Sequence, residues 1–201
     1  MLPRLWPEST IVCVGSGPSL SAPDLALVAA SDARILAINT SYQACPRVDV
    51  LYAADYKWWR WHPDAVSLSC LKIALGQRAQ HDPRVTVLDW TGLDGLEVRP
   101  HAIRTGGHGG YSAINVSVHL GARRIVLLAY DMGPSPDGRH HHHADHPDGS
   151  HPTYDKRRAV YQTLVEPLQA LGVTVVNASR QTTIEAFPRF DLEEALCLAC
   201  P

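Results

Sequence analysis

The chain has 201 residues, of which 45% are hydrophobic and 19% charged, and its formal net charge is −2 at pH 7. This composition is that of an ordinary globular protein, so disorder is not the default, and the length fits one domain with a substantial core. Arg and Lys are scattered, so charge supplies no basic footprint for nucleic acid. Met1-Leu2-Pro3-Arg4 runs on to Pro7 and Glu8 without an apolar stretch, and neither a signal peptide nor a membrane anchor is expected. The expected compartment is the cytoplasm.

In chain order, strand and helix patterns alternate, which predicts a single α/β domain over residues 1–201: Rossmann-like, with a mostly parallel central sheet and helices on both faces. Thr10-Ile11-Val12-Cys13-Val14 reads as a strand buried on both faces. Pro23 to Ala30 reads as a short helix, Arg34 to Ile38 and Val48 to Ala53 as the next strands, and Tyr56, Trp58, Trp59 and Trp61 as an aromatic cluster. Further strands are expected at Leu71 to Leu75 and Val85 to Leu88. The spacing of Ile114, Val118 and Leu120 predicts a helix over Gly110 to Leu120, stopped by Gly121. Arg124 to Ala129 is the clearest strand. Pro134 to Pro152 is a long His-rich loop, Tyr154 to Leu171 a helix, and Val173 to Val176 the last strand. Asp191 reads as the N-cap of a final helix, with Glu194 as its capping-box partner.

Five cysteines are an odd count without a disulfide framework, and Cys13, Cys45 and Cys70 are expected as core thiols. Cys197 and Cys200 form a lone C-x-x-C that lacks the second pair of a structural zinc site.

Four segments, Ile11 to Gly17, Ile35 to Asn39, Val50 to Asp55 and Ile125 to Asp131, read as strands ending in Gly, Ser, Asn or Asp. In an open parallel sheet the carboxyl ends of the strands face one crevice, so these ends point to a nucleotide-type pocket. After the first strand, Gly15, Ser16, Gly17 and Ser19 offer a close backbone approach, hydroxyls and amides suited to a phosphate, although the spacing matches neither G-x-G-x-x-G nor a Walker A loop. Asn39 is suited to read a base or ribose and Asp55 to accept from sugar hydroxyls; each is equally suited to cap a helix. Gly107 and Gly110, with Tyr111 and Ser112, form a second glycine-rich loop before a helix, another place for an anion.

The loop Arg139-His140-His141-His142-His143-Ala144-Asp145-His146, with His151 near it, is internal and so differs from a purification tag. One reading makes a His the general base. Another makes His141, His143, Asp145 and His146 a site for a divalent metal, which the chemistry allows but does not require. The bland reading is a solvated loop with adventitious metal affinity.

Val14 to Leu20, Asn39, Gly110-Tyr111-Ser112-Ala113 and Leu120 to Asp131 together resemble the corresponding blocks of the bacterial sialyltransferases of glycosyltransferase family 42. They also resemble the related domain-of-unknown-function 115 proteins, which include 6-hydroxymethylpterin diphosphokinases. The blocks are similar in particular to small phage and prophage proteins of that superfamily, including Asn177-Ala178-Ser179-Arg180 and Phe187-Pro188-Arg189. The resemblance spans most of the chain outside about Trp58 to Arg104. It implies that Gly15, Ser16, Gly17, Ser19 and Asn39 hold the CMP part of a nucleotide-sugar donor, although the sialyltransferases usually have Asn where Ser16 stands. It further implies a catalytic base among His141, His143 and His146 and a tyrosine at the leaving phosphate, Tyr154 being the nearest.

The leading expectation is a glycosyltransferase-like enzyme that passes a sugar from a CMP-type donor to the hydroxyl of a small-molecule or glycan acceptor, with Asp131 beside the chemistry. The alternatives are a diphosphokinase with Mg²⁺ on Asp55 and Asp131, and a non-catalytic nucleotide- or metal-binding module. All three require the two glycine clusters, Asn39 and the His segment to share one rim of the molecule.

Overall fold

The computed structural model describes residues 1–144, 147 and 153–197. Eight strands, β1 (Ser9–Val14), β2 (Arg34–Ile38), β3 (Val50–Tyr52), β4 (Leu71–Leu75), β5 (Thr86–Gly92), β6 (Ala102–Arg104), β7 (Ala122–Leu128) and β8 (Thr174–Asn177), form one sheet in the order β6-β5-β4-β3-β2-β1-β7-β8. Every neighbouring pair is parallel. The helices are α1 (Ala22–Ala30), α2 (Tyr56–Trp61), α3 (Gly109–Leu120), α4 (Tyr154–Ala159), α5 (Val165–Ala170) and α6 (Leu192–Cys197). The fold is thus α/β and Rossmann-like. No helix among the described residues is long and apolar enough to cross a membrane.

Alternation along β1 shows why its sequence is an unbroken apolar run. Ile11 and Cys13 join the core under α3, while Val12 and Val14 join the opposite core with Leu25 and Val28 of α1 and Leu192 and Ala195 of α6. Both faces are covered from Ile11 to Val14, so the strand is apolar there, whereas Ser9 and Thr10 at its start are only half-buried. A third cluster sets Trp58 and Trp59 of α2 against Leu51, Ala53 and Ala74, with the Trp59 indole N–H donating to the Ala53 carbonyl at 2.9 Å. Of the aromatic run after Asp55, Trp58 and Trp59 are therefore core, while Tyr56 is exposed and Trp61 half-buried. Of the three expected core thiols, Cys13 is fully buried and Cys45 and Cys70 only partly; Cys200 lies outside the described residues.

Two elements differ from expectation. The helix over Tyr154 to Leu171 is α4, then 3-10 turns over Val160–Leu164, then α5. Pro167 explains the break, because it has no N–H to give the carbonyl four residues back and its ring crowds that carbonyl. The short edge strand β6 has no counterpart in the sequence pattern. Three residues carry too little periodicity, and its place is set by α3.

That tie is one side chain. Asn115, fully buried on α3, accepts from the Glu97 and Arg104 backbone N–H groups at 3.0 Å each and donates to the Glu97 carbonyl at 2.8 Å. Glu97 in turn holds Arg99 through two contacts of 3.0 and 2.7 Å. The β5–β6 connection is thereby fastened to the helix whose first turn opens on the sheet's carboxyl edge. Replacing Asn115 by Leu leaves three backbone groups without partners, each costing about 1–3 kcal/mol. Urea unfolding of Asn115→Leu is expected to show a loss above about 2 kcal/mol; a loss near zero would mean that the connection holds itself.

Candidate functional site

The strand order reverses beside β1, where β2 continues the sheet one way and β7 the other. At such a switch point the connections leave in opposite directions and open a crevice at the carboxyl ends. A cavity of about 340 Å³ lies there. Its floor follows the strand order: Asp55 after β3, Asn39 after β2, Gly15 to Gly17 after β1, and Ala129 to Gly133 after β7. Gly107 to Gly110 at the start of α3, His140 and His141, and Tyr154, Arg157 and Tyr161 complete the wall.

The two glycines of the first loop answer first to β7. A Cβ at Gly15 would lie 2.5 Å from the Ala129 carbonyl oxygen, and one at Gly17 would lie 2.3 Å from Asp131 Oδ1. The Gly15 amide donates to the Leu128 carbonyl at 2.8 Å and the Gly17 amide to that of Ala129 at 3.0 Å. Asp131 then closes the turn, accepting from the Ser19 amide at 2.8 Å and the Ser19 hydroxyl at 2.6 Å. Both its oxygens are engaged, burial raises its pKa, and Ser19 opposes that rise. Of the pair Asp55 and Asp131, Asp55 is the carboxylate left open, exposed at the start of α2 without a side-chain capping bond.

Three of the four non-glycine residues with left-handed backbone among the described residues line this cavity: Asn39 (φ 50°), Ala129 (φ 57°) and Met132 (φ 51°). Such strain persists only where the surroundings over-determine it, and it gathers at ligand sites. Here the C-terminal tail supplies the restraint. Ser179 Oγ accepts from the Tyr130 amide at 2.8 Å, Thr182 Oγ1 donates to the Tyr130 carbonyl at 2.7 Å, and the Thr183 amide donates to the Asp131 carbonyl at 3.0 Å. The Asn177 to Arg180 motif is thus scaffold for the end of β7.

The second glycine-rich loop delivers backbone rather than hydroxyls. His108 is the N-cap of α3, and the amides of Gly109, Gly110 and Tyr111 have no acceptor among the described residues. Gly107 and Gly110 line the cavity. Tyr111 and Ser112 turn away from it: the Tyr111 hydroxyl donates to the Gly95 carbonyl at 2.8 Å, and Ser112 Oγ donates to the His108 carbonyl at 3.1 Å. Both were expected beside a ligand. The helical period instead points them at the β5–β6 connection and back along α3.

The His segment lies over the first glycine loop, where the His142 amide donates to the Ser16 carbonyl at 3.1 Å. His140 Nδ1 and the Tyr154 hydroxyl are 2.9 Å apart, and the His141 and His143 rings stack 4.9 Å apart. His141 lines the cavity; His143 sits behind it. Burial, then His143, pushes His142 down to about 4. Asp145 and His146 lie outside the described residues, and among the described residues no three His, Cys, Asp or Glu side chains are grouped to hold a metal.

Ser16, Asn39, Asp55, Gly107, Gly110, Asp131 and His141 therefore share one cavity, while Ser19 supports its floor. His108, Arg157 and Tyr161 were not singled out from sequence. His108 lies between Gly107 and Gly110 of the second glycine-rich loop, and its place at the cap was the available signal; Arg157 and Tyr161 arrive from a helical run distant in the chain.

No family model, curated protein or solved structure matches the chain.

Gly17→Ala is expected to cost about 1–3 kcal/mol by overpacking against Ala129 and Asp131, read as a lower midpoint in chemical denaturation. An unchanged midpoint would show that the two turns part without strain.

Proposed function

We propose that the chain is a glycosyltransferase-like enzyme that grips a nucleotide-activated sugar of the CMP type across the switch point and passes the sugar to an acceptor hydroxyl. The observation that carries this reading is the polarity of the cavity. Open acceptor and amide groups, Asp55 and Asn39, stand at the ends of β3 and β2, and a row of donors, the first amides of α3 with Arg157, lines the same cavity, running from Gly109 beside Ile38 and Asn39 to Gly110 beside Tyr130 and Tyr161. A nucleoside suits the first and a phosphate the second.

In this reading the ribose hydroxyls donate to Asp55 and the base meets the Asn39 carboxamide. The acceptor oxygen attacks the anomeric carbon, the carbon–oxygen bond to the phosphate breaks, and His141 takes the acceptor's proton. The nucleoside monophosphate leaves into a field of fixed donors: the α3 amides, Arg157 and the Tyr154 hydroxyl. Positioning and preorganised electrostatics then supply most of the rate, with no metal needed at the phosphate.

A thermal-shift series with CMP, UDP and ATP, each with and without Mg²⁺, tests the reading. CMP is expected to stabilise selectively and without metal, by about 2.7 kcal/mol at a hundred times its dissociation constant. Stabilisation only by ATP with Mg²⁺, or by no nucleotide, overturns it. Arg157→Ala is expected to weaken CMP about tenfold or more while leaving cytidine binding unchanged, checked by calorimetric titration.

A further inference from the structure

Two polar groups in the cavity wall have no partner among the described residues. His108 Nε2 is buried and makes no hydrogen bond, and the hydroxyl of Tyr161, a residue with 0% exposure, makes none either. Neighbouring Tyr130 shows the usual outcome, its hydroxyl donating to the Gly110 carbonyl at 3.1 Å. Buried polar atoms are nearly always paired, so two orphans in one wall call for a ligand that pairs them. Both crowd the first turn of α3. A Cβ on Gly110 would lie 2.8 Å from the Tyr161 hydroxyl oxygen and 3.4 Å from His108 Nδ1, and the His108 and Tyr161 ring centroids are 5.2 Å apart.

The Arg157 backbone beside the His108 ring favours its protonated form. The neutral ring carries one N–H and one bare lone pair, and in the tautomer that keeps its proton at Nδ1 the lone pair stands at the unpartnered Nε2. A lone pair repels a phosphate oxygen. An imidazolium N–H would instead bind it by a charge-assisted hydrogen bond.

We infer that His108 and Tyr161 complete a phosphate subsite at the start of α3, and that the phosphate enters together with one proton, which His108 takes at Nε2. The Gly109 and Gly110 amides, the Tyr161 hydroxyl and the Arg157 guanidinium donate from the other sides. In the free protein His108 is neutral near pH 7, because burial first and the Arg157 charge second lower it to about 4. The groups facing it are Arg157 from α4, Tyr161 from the following 3-10 turn, Tyr111 one turn along α3, and Tyr130 across Gly110. None of these four is a carboxylate, so a bound phosphate dianion is the charge that stabilises the imidazolium. The proposed function enters only in naming what carries the phosphate; a nucleoside monophosphate and free phosphate offer the same chemistry.

The test is calorimetric titration of the full chain with inorganic phosphate, CMP and cytidine, in buffers of different ionisation enthalpy, at about pH 7.5 to 8.5 where the phosphate is mostly dianionic. Close to one proton is expected to be taken up with each phosphate or CMP and none with cytidine, and the apparent Kd is expected to rise up to tenfold per pH unit. His108→Gln, which keeps a donor without a titration, is expected to bind with little uptake and a flatter pH slope. Tyr161→Phe is expected to keep or raise Tm while losing about tenfold in phosphate affinity, since it deletes a hydroxyl that pairs only with ligand. Proton uptake equal in wild type and His108→Gln overturns the inference, as do imidazole NMR resonances of His108 that do not move on adding phosphate. CMP binding without uptake removes the inference and leaves the transferase reading. Phosphate binding with uptake but no CMP binding does the reverse, and no binding of either removes both.

Discussion

The site rests on how closely the ends of β1 and β7 approach. At Gly15 and Gly17 the two backbones come nearer than any side chain allows, and Asp131 then clasps Ser19 through both carboxylate oxygens. That contact turns the chain sharply away from the sheet on each side of the switch point. The crevice between the departing turns is the cavity. Had β1 ended in larger residues, the two turns would have to separate, and the floor that carries Ser16 and Ala129 would lose its shape.

Around that contact the protein maintains features that do not favour the free folded state. Asn39, Ala129 and Met132 hold left-handed backbone, and among the described residues three amides at the start of α3 lack acceptors and His108 Nε2 and the Tyr161 hydroxyl lack hydrogen-bond partners. Each is unfavourable on its own, and each is held by something stiff nearby. The Ser179 to Thr183 segment grips the end of β7, and Asn115 ties α3 to the β5–β6 connection. Concentrating strain and unsatisfied donors in one cavity is what a binding site does, because a ligand brings the missing partners. The rest of the core, with β1 and β7 covered on both faces, supplies the stability that makes this tolerable.

Sequence reasoning reached the floor of the cavity better than its wall. Asn39, Asp55, Ser16 and Asp131 were legible because strand ends in a parallel sheet share one edge, a rule that needs only the strand pattern. Tyr111 and Ser112 were placed at the same edge by their neighbours in the chain, but a helical residue's direction depends on its phase, and theirs leads to Gly95, Thr163 and His108. The break at Pro167 was readable in principle from the missing N–H. The three-residue strand β6 was not, since nothing local distinguishes it from the loop around it.

By itself the sequence determined the class of fold, through alternating apolar runs and periodic helices, and the edge of the sheet on which polar residues gather. It determined those because they follow from local pattern and from the parallel direction of the strands. Only the tertiary structure decided which residues meet: that Asp131 is spent on Ser19, that His141 faces the cavity while His143 stacks behind it, and that His108 meets Arg157 and Tyr161, which lie on successive turns of a distant helical run. Proximity between residues some fifty positions apart, such as His108 and Tyr161, comes from packing, which no local pattern encodes.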